Sequence, residues 1–259
     1  MNKRIMELKG VEVWDGNMAN SQALRQADVD VVAAYPITPS TATVENYAMF
    51  HANGYIDGEV MMTESEHAAM SACIGAGAAG GRVATATSSQ GLALMIETLY
   101  QASGMRIPVV LCLVNRALAA PLNVNGDHSD LYLTRDSGWI SIDAFSPQEA
   151  YDMTLMSFKI SEHPDVRLPV ISNQDGFMTS HTAQNVTPLK DDVACKFVGD
   201  YLQVNALLNF DKPVTHGVQT EQDWHFEHKA KQHAALMGSK KVILDIFKEF
   251  KELTGREYK

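Results

Sequence analysis

The chain has 259 residues, of which 46% are apolar, and its formal net charge at pH 7 is −10. That length and composition allow one substantial hydrophobic core. The acidic charge argues against nucleic acid or an anionic membrane surface as a partner, since both would repel the protein. No stretch is long and apolar enough to predict a secretion signal or a transmembrane helix.

Three cysteines, Cys73, Cys112 and Cys195, are widely spaced along the chain. They cannot build a disulfide framework, and they cannot supply the four thiolates of an iron–sulfur cluster. The segment 127–130 (DHSD) lacks a second group of ligands at a fitting spacing, so a hydrogen-bonded loop is preferred there over a metal site. We therefore expect a cytoplasmic protein that binds no metal with its own residues.

Short β-branched apolar runs alternate with stretches of helical period, which predicts parallel strands joined by crossover helices. Strands are predicted near residues 29–35, 59–62, 82–87, 108–114, 140–144 and 168–173. Helices are predicted at about 17–27, 41–52, 66–79, 90–103 and 147–161. The run 109–114 is apolar throughout, as expected of a strand covered on both faces. We predict an α/β fold with an open, mostly parallel sheet and helices on both faces.

The chain changes character after the last predicted strand. From about 190 to 222 it loses periodicity and is predicted to form an extended arm. A helix is predicted over 222–253, where Gly238 could introduce a break and Gly255 fits the C-cap. We expect one α/β domain over residues 1–189, with the arm and C-terminal helix of residues 190–259 belonging to the same domain.

A G-x-G-x-x-G pattern occurs at Gly75, Gly77 and Gly80. A dinucleotide-binding pattern of this kind follows a strand and opens a helix, so that helix amides face the pyrophosphate. Here the glycines close a predicted helix and precede a strand. Close helix packing and a C-cap are therefore the favoured explanation.

Ligands of open α/β sheets bind at loops leaving the carboxyl ends of strands, which here are residues 35–40, 63–66, 87–90 and 115–138. In the segment 35–41 (YPITPST) two prolines fix φ and stiffen the backbone around Thr38. A proline-rich turn with Ser40 or Thr41 as helix N-cap explains this segment equally well.

The segment 63–70 (TESEHAAM) places two acids at a helix start. Solvent exposure and the helix dipole already explain Glu64. Glu66 is followed by small residues that let another surface approach closely, which makes it a candidate for a buried carboxylate.

Two further segments carry polar groups at strand ends. Residues 87–91 (TSSQG) suit a ligand, although helix capping alone would explain at least half of the pattern. Arg116 follows a buried strand and needs an anion, for which its planar fork suits a carboxylate. A structural salt bridge to Asp127, Asp130 or Asp136 is an equally good explanation.

Taken together, these segments resemble the α subunit, or first domain, of the pyruvate-type 2-oxoacid:ferredoxin oxidoreductases. The resemblance is carried by YPITPS, SEH, TSSQGL and NRAL, and it covers the segments 35–40, 65–67, 87–92, 115–118, 127–130, 135–140, 148–152, 175–177 and 253–258. It implies the pyrimidine-binding fold of a thiamine diphosphate enzyme. The Gly-Asp-Gly and later Asn that hold magnesium and diphosphate in such enzymes are missing, so a partner chain is expected to hold those groups.

The resemblance also implies roles for individual residues. Glu66 would contact N1′ of the aminopyrimidine, and Thr38 with Arg116 would bind the carboxylate of the 2-oxoacid. Further cofactor contacts are expected from Pro36, Ile37, Thr87, Ser89 and Gln90.

The expected activity is oxidative decarboxylation of pyruvate to acetyl-coenzyme A by an α subunit, or a fragment of one, active only with partner subunits. A β subunit would hold Mg²⁺ and share thiamine diphosphate with this chain. [4Fe-4S] clusters in γ and ferredoxin-like δ subunits, or in other partner chains, would pass electrons to ferredoxin. The complete assembly would be a dimer of heteromers. Two alternatives stay open: a branched-chain 2-oxoacid or 2-oxoglutarate as substrate, and a non-catalytic structural subunit.

Overall fold

A parallel sheet covered by helices on both faces forms the centre of the molecule, and the computed structural model describes residues 4–259. In chain order the elements are β1 Glu12–Trp14, α1 Gly16–Gln26, β2 Val31–Ala34, α2 Thr41–Ala52, β3 Glu59–Met62, α3 Glu66–Ala79, β4 Val83–Thr87, α4 Ser89–Gly104, β5 Val109–Val114, α5 Ser129–Tyr132, β6 Ile140–Ala144, α6 Pro147–Glu162, β7 Val170–Gln174, β8 Gln184–Val186, α7 Asp191–Val198 and α8 Gln222–Thr254. The six central strands lie in the order β3-β2-β4-β5-β7-β6, and every pair is parallel. The predicted α/β fold is confirmed.

Side chains alternate across the sheet and feed two hydrophobic cores. In β5, Val110 and Cys112 point to the core shared with α1, α2, α6 and the C-terminal helices. Val109, Leu111 and Leu113 point to the other core, under α3 and α4. Because β5 is buried on both faces, an uninterrupted apolar run is the sequence that this strand requires.

Several elements differ from the sequence-based expectation. The antiparallel pair β1 and β8 was not predicted, because three-residue strands are too short to show a period. The arm contains the helix α7, whose first residue Asp191 accepts hydrogen bonds from Arg25 at 2.6 and 2.8 Å. Helix α8 continues through Gly238, since one exposed glycine costs only about 1 kcal/mol. Gly255, with φ of +77°, ends the helix as predicted.

Buried ion pairs attach the arm and the C-terminal segment to the sheet domain. Arg82, at the start of β4, forms a two-pronged pair with Glu162 at 2.7 and 2.8 Å and also donates to the Gly199 carbonyl at 2.7 Å. Asp152 of α6 is fully buried and accepts from Arg256 at 2.6 and 2.9 Å. These contacts join the arm and the C-terminal segment to the sheet domain, and the assignment of residues 190–259 to the same domain stays a prediction.

The glycine pattern of α3 has the structural role that its context predicts. Gly80 has a φ of +119° and donates its backbone N–H to the Ala76 carbonyl, which caps the helix. A methyl group on Gly77 would come within 2.5 Å of a side-chain carbon of Ile107. The pattern therefore serves helix capping and close packing.

The described residues contain no helix with the length and apolar composition needed to cross a bilayer. Residues 4–259 also contain no group of three or more His, Cys, Asp or Glu side chains that could hold a metal ion. Cys73 and Cys112 are buried free thiols, and burial raises the pKa of each to about 12. Both thiols are therefore inert packing groups at neutral pH.

Candidate functional site

The candidate site lies where the carboxyl ends of four neighbouring strands meet. Strands β3, β2, β4 and β5 are adjacent in the sheet and run in the same direction. The loops that follow them, including residues 35–40, 63–66, 87–90 and 115–118, therefore leave from one edge. Direct contacts join three of these loops, because Arg116 donates to the Thr38 carbonyl at 2.8 Å and to the Gln90 side chain at 3.0 Å.

The loop after β2 is held from two helices. Asn17 of α1 is fully buried and donates to the Pro39 carbonyl at 3.0 Å. Its side-chain oxygen accepts from the Thr43 hydroxyl of α2 at 2.8 Å. Thr38 is exposed at the edge. Ser40 occupies the N-cap position, but its hydroxyl donates to the Ile37 carbonyl instead of capping α2.

Glu66 is the buried carboxylate that the small-residue pattern indicated. It lies in the first turn of α3 and is only 7% exposed, whereas Glu64 is exposed. Ser65 caps the helix by accepting from the Ala68 N–H at 3.2 Å, so Glu66 is not needed as a cap. Within the described part of the chain its carboxylate has no hydrogen-bond or ion-pair partner, which is unusual for a buried charge.

Gly91 of α4 is the residue that makes room for this carboxylate. A methyl group at Gly91 would lie 2.6 Å from Oε1 of Glu66 and 2.3 Å from Oγ1 of Thr87. The Thr87 hydroxyl and the neighbouring Ser88 hydroxyl are buried and have no hydrogen-bond partner among residues 4–259. A carboxylate and two unpaired hydroxyls thus come from adjoining segments, α3 and the junction of β4 with α4.

Ser89 and Gln90 are occupied by contacts within the protein. The Ser89 hydroxyl donates to the Ala117 carbonyl at 2.6 Å and lies 2.5 Å from Oε1 of Gln90. That Gln90 oxygen also accepts from Arg116. The structure therefore brings both residues to the site but leaves the Ser89 hydroxyl little capacity for a ligand. Pro36 is exposed and Ile37 is half-buried on the loop beside them.

Arg116 has no carboxylate bonded to its guanidinium among the described residues. Asp130 accepts from the Arg116 backbone N–H at 3.0 Å, Asp127 accepts from the Ser129 backbone, and Asp136 pairs with Arg135. The salt-bridge explanation of Arg116 is therefore wrong. Its Nε is buried without a partner, and desolvation lowers the pKa of the guanidinium while the charges of Asp130 and Glu66 oppose that shift. A bound anion would supply the missing partner.

The structural roles of three residues at the site were not predicted, although Asp130 had been named as a possible salt-bridge partner of Arg116. Asn17 and Gly91 carried no signal in isolation, because their roles depend on contacts between distant segments. Asp130 stood within a motif that we interpreted as a hydrogen-bonded loop, and that interpretation is confirmed. The spacing of residues along the chain gave no sign that Asp130 would contact the loops that follow both β4 and β5.

Comparison with known proteins shows which family the chain belongs to. The family model described as pyruvate flavodoxin/ferredoxin oxidoreductase, thiamine diP-bdg, matches residues 22–248. The chain belongs to this family. The matched range contains all of the loops that form the candidate site.

Relatives within the family carry two substrate names. Pyruvate synthase subunit PorA of Thermotoga maritima is 49% identical over 94% of this chain and 62% of that protein. The subunit of the same name from Methanocaldococcus jannaschii is 48% identical over 96% of this chain and 64% of that protein. Ketoisovalerate oxidoreductase subunit VorA of Pyrococcus abyssi is 42% identical over 98% of this chain and 64% of that protein. The chain thus spans a little under two thirds of the length of these relatives.

The fold also matches a solved structure. It is a 2-oxoglutarate:ferredoxin oxidoreductase from Magnetococcus marinus with 2-oxoglutarate, coenzyme A and succinyl-CoA bound. The TM-score is 0.72 at 23% identity, over 89% of this chain and 45% of that one. The match establishes a shared fold.

The geometry around Gly91 generates a first prediction. Gly91→Ala should push the Glu66 carboxylate aside, because the new methyl group would overlap with Oε1 and with the Thr87 hydroxyl. We expect any turnover that depends on the Glu66 carboxylate to fall by about a hundredfold in the assembled protein, the scale expected when a reacting group is displaced by about 1 Å. Gly104→Ala, at the other end of α4 with open space around it, is the matched control. Equal turnover in both variants would show that Gly91 is not needed to make room for the Glu66 carboxylate.

Proposed function

We propose that this chain forms the aminopyrimidine side of the thiamine diphosphate site in a 2-oxoacid:ferredoxin oxidoreductase, with pyruvate as substrate. One observation carries the proposal: the buried, unpaired carboxylate of Glu66 lies against Gly91, beside the unpaired hydroxyls of Thr87 and Ser88. An aminopyrimidine ring offers ring nitrogens and an amino group, which match a carboxyl group and hydroxyls as hydrogen-bond partners. The orphaned groups of this site therefore fit that end of the cofactor.

The other end of the cofactor is assigned to another chain. The sequence lacks the Gly-Asp-Gly and later Asn that hold magnesium and diphosphate, and no metal-binding group occurs in the described range of 4–259. The orphaned groups lie at a sheet edge where a second surface could cover them. We therefore assign Mg²⁺ and the diphosphate to a β subunit, with thiamine diphosphate shared between the two chains.

Glu66 would hold the proton shared with N1′ of the aminopyrimidine. Thiamine diphosphate, when bound, supplies the carbon nucleophile that attacks the 2-oxo group and accepts the electron pair left by carbon dioxide. A carboxyl group at N1′ acts as an acid and base, because it can donate its proton and take it back. A partner chain that covered the site would keep water from competing for that proton.

Arg116 and Thr38 would orient the carboxylate of the substrate. The Arg116 guanidinium already spans Gln90 and the Thr38 carbonyl, which fixes its plane, and its Nε still lacks a partner. The Thr38 hydroxyl stands at the same edge. Orientation is the useful contribution here, because tight binding of the ground-state carboxylate alone would not lower the barrier.

The overall reaction would convert pyruvate and coenzyme A into acetyl-coenzyme A, carbon dioxide, one proton and two electrons. The three cysteines of the chain cannot ligate a cluster of four thiolates. We therefore place the [4Fe-4S] clusters in partner chains, including γ and ferredoxin-like δ subunits. These would deliver the electrons to ferredoxin within a cytoplasmic dimer of heteromers.

Two substrate alternatives and one non-catalytic alternative compete with this proposal. The pyruvate synthase subunits at 48 and 49% identity favour pyruvate over a branched-chain 2-oxoacid, for which the named relative is 42% identical. The 2-oxoglutarate enzyme shares the fold at 23% identity, which carries no weight for substrate. Against a purely structural subunit, Nε of Arg116 is buried without a partner, and the Glu66 carboxylate has no hydrogen-bond or ion-pair partner among the described residues.

Glu66→Gln tests the proposed role of the carboxylate. The amide is close in size and still forms hydrogen bonds, so fold and cofactor content should stay near wild type. It cannot supply the proton, so exchange of the cofactor C2 proton for deuterium should slow by ~10²–10⁴-fold in the assembled complex. Quenching followed by NMR measures this rate. Glu64→Gln, an exposed neighbour, should exchange as wild type does; the same rate in Glu66→Gln would remove Glu66 from the mechanism.

Arg116→Ala tests the carboxylate site. Loss of a charge-assisted fork should raise the KM for pyruvate by roughly ten- to a hundredfold, since such bonds contribute about 1.5–3 kcal/mol. Lysine should rescue only in part, because it lacks the planar fork. Arg135→Ala is the matched control, since this arginine is exposed and, among the described residues, its side chain pairs only with Asp136. A KM equal to that of the control would separate Arg116 from the substrate.

A further inference from the structure

Asp130 is a fully buried carboxylate that, among the described residues, accepts its hydrogen bonds from uncharged donors. Its Oδ2 accepts from the backbone N–H of Ser89 at 2.9 Å and from that of Arg116 at 3.0 Å. Its Oδ1 accepts from the Asn115 side chain and from the Leu131 N–H, both at 2.8 Å. Both oxygens are thus fully used. Burial raises the pKa of Asp130, and these four donors oppose that shift.

The two bonds to Oδ2 join the loops that follow neighbouring strands. Thr87, the last residue of β4, is paired in register with Leu113 of β5. Ser89 comes two residues after Thr87 and Arg116 comes three residues after Leu113, so a single carboxylate oxygen bridges the two loops. Ser89 also has a φ of +49°, a strained conformation for a residue with a side chain. Such strain persists only where the surroundings hold it.

The same two loops carry the groups that fix the guanidinium of Arg116. The Ser89 hydroxyl donates to the Ala117 carbonyl at 2.6 Å, and Gln90 accepts from Arg116 at 3.0 Å. If the loops moved apart, the Gln90 oxygen would leave the guanidinium and the fork would lose its orientation. Asp130 lies within hydrogen-bond distance of the backbone of both loops and of neither the guanidinium nor Gln90.

We propose that Asp130 is a positioning residue that holds Arg116 and Gln90 in register for binding the substrate carboxylate. This inference rests on the proposed function. A carboxylate is required at this position because four hydrogen-bond donors converge on two oxygens. Asparagine offers one oxygen and would turn its NH₂ group toward two N–H groups.

Asp130→Asn in the assembled complex is the test. We expect the KM for pyruvate to rise by about tenfold, the scale of one lost charge-assisted hydrogen bond, with a smaller change in kcat. Hydrogen–deuterium exchange should increase together in peptides covering residues 87–92 and 114–118. Asp152→Asn is the matched control, because it also removes a fully buried, hydrogen-bonded carboxylate but one paired with Arg256. That control should lose stability without a change in KM.

A double-mutant cycle separates positioning from general destabilisation. If Asp130 acts through Arg116, the double variant should have a KM less than about twofold higher than that of Arg116→Ala alone. If the two substitutions act independently, their effects on KM should multiply. A multiplied effect, or a KM for Asp130→Asn equal to that of Asp152→Asn, would overturn the inference alone. An unchanged KM in Arg116→Ala would overturn the carboxylate site as well. Asp130→Glu, which keeps the charge but shifts both oxygens, replaces Asp130→Asn in the cycle if the latter fails to assemble.

Discussion

The parallel pairing of β2, β4 and β5 is the constraint on which the site depends. Parallel strands end at one edge, so residues 38, 66, 87 and 116, which are far apart in the chain, meet there without any long-range loop of their own. The side-chain alternation of these strands fills two cores and leaves the edge itself to polar loops. A packed sheet therefore holds flexible side chains, notably that of Arg116, in a defined arrangement.

Unpaired polar groups at this edge have an energetic cost that the isolated chain must bear. A buried polar atom without a partner costs about 1–3 kcal/mol, and a charged one costs more. The Thr87 hydroxyl and Nε of Arg116 are in this condition among residues 4–259. The Glu66 residue is 7% exposed, and its carboxylate has no hydrogen-bond or ion-pair partner among the same residues. Bound cofactor, substrate and a covering partner chain would remove that cost together. This would link the function of the site to its assembly, because the groups proposed to bind the ligands would also favour the complex over the free chain.

Much of the fold could be predicted from the sequence because it depends on local pattern. The apolar run of β5 and the glycine cap at Gly80 are local signals, and both were predicted. The pair of β1 with β8 and the helix α7 depend on distant contacts such as Arg25 with Asp191, and both were missed. At the site, the burial of Glu66 followed from its small neighbours. The partners of Arg116 did not follow from the sequence, since backbone carbonyls and amides carry no residue-type signal.

A site divided between two chains is the central claim, and calorimetry tests it most directly. Thiamine diphosphate with Mg²⁺ is titrated into the purified chain alone and, separately, into the cofactor-depleted complex that contains it. We expect saturable, tight binding by the complex and weak or undetectable binding by the isolated chain, because the proposal assigns the diphosphate and Mg²⁺ contacts to another subunit. Submicromolar binding by the isolated chain would contradict it.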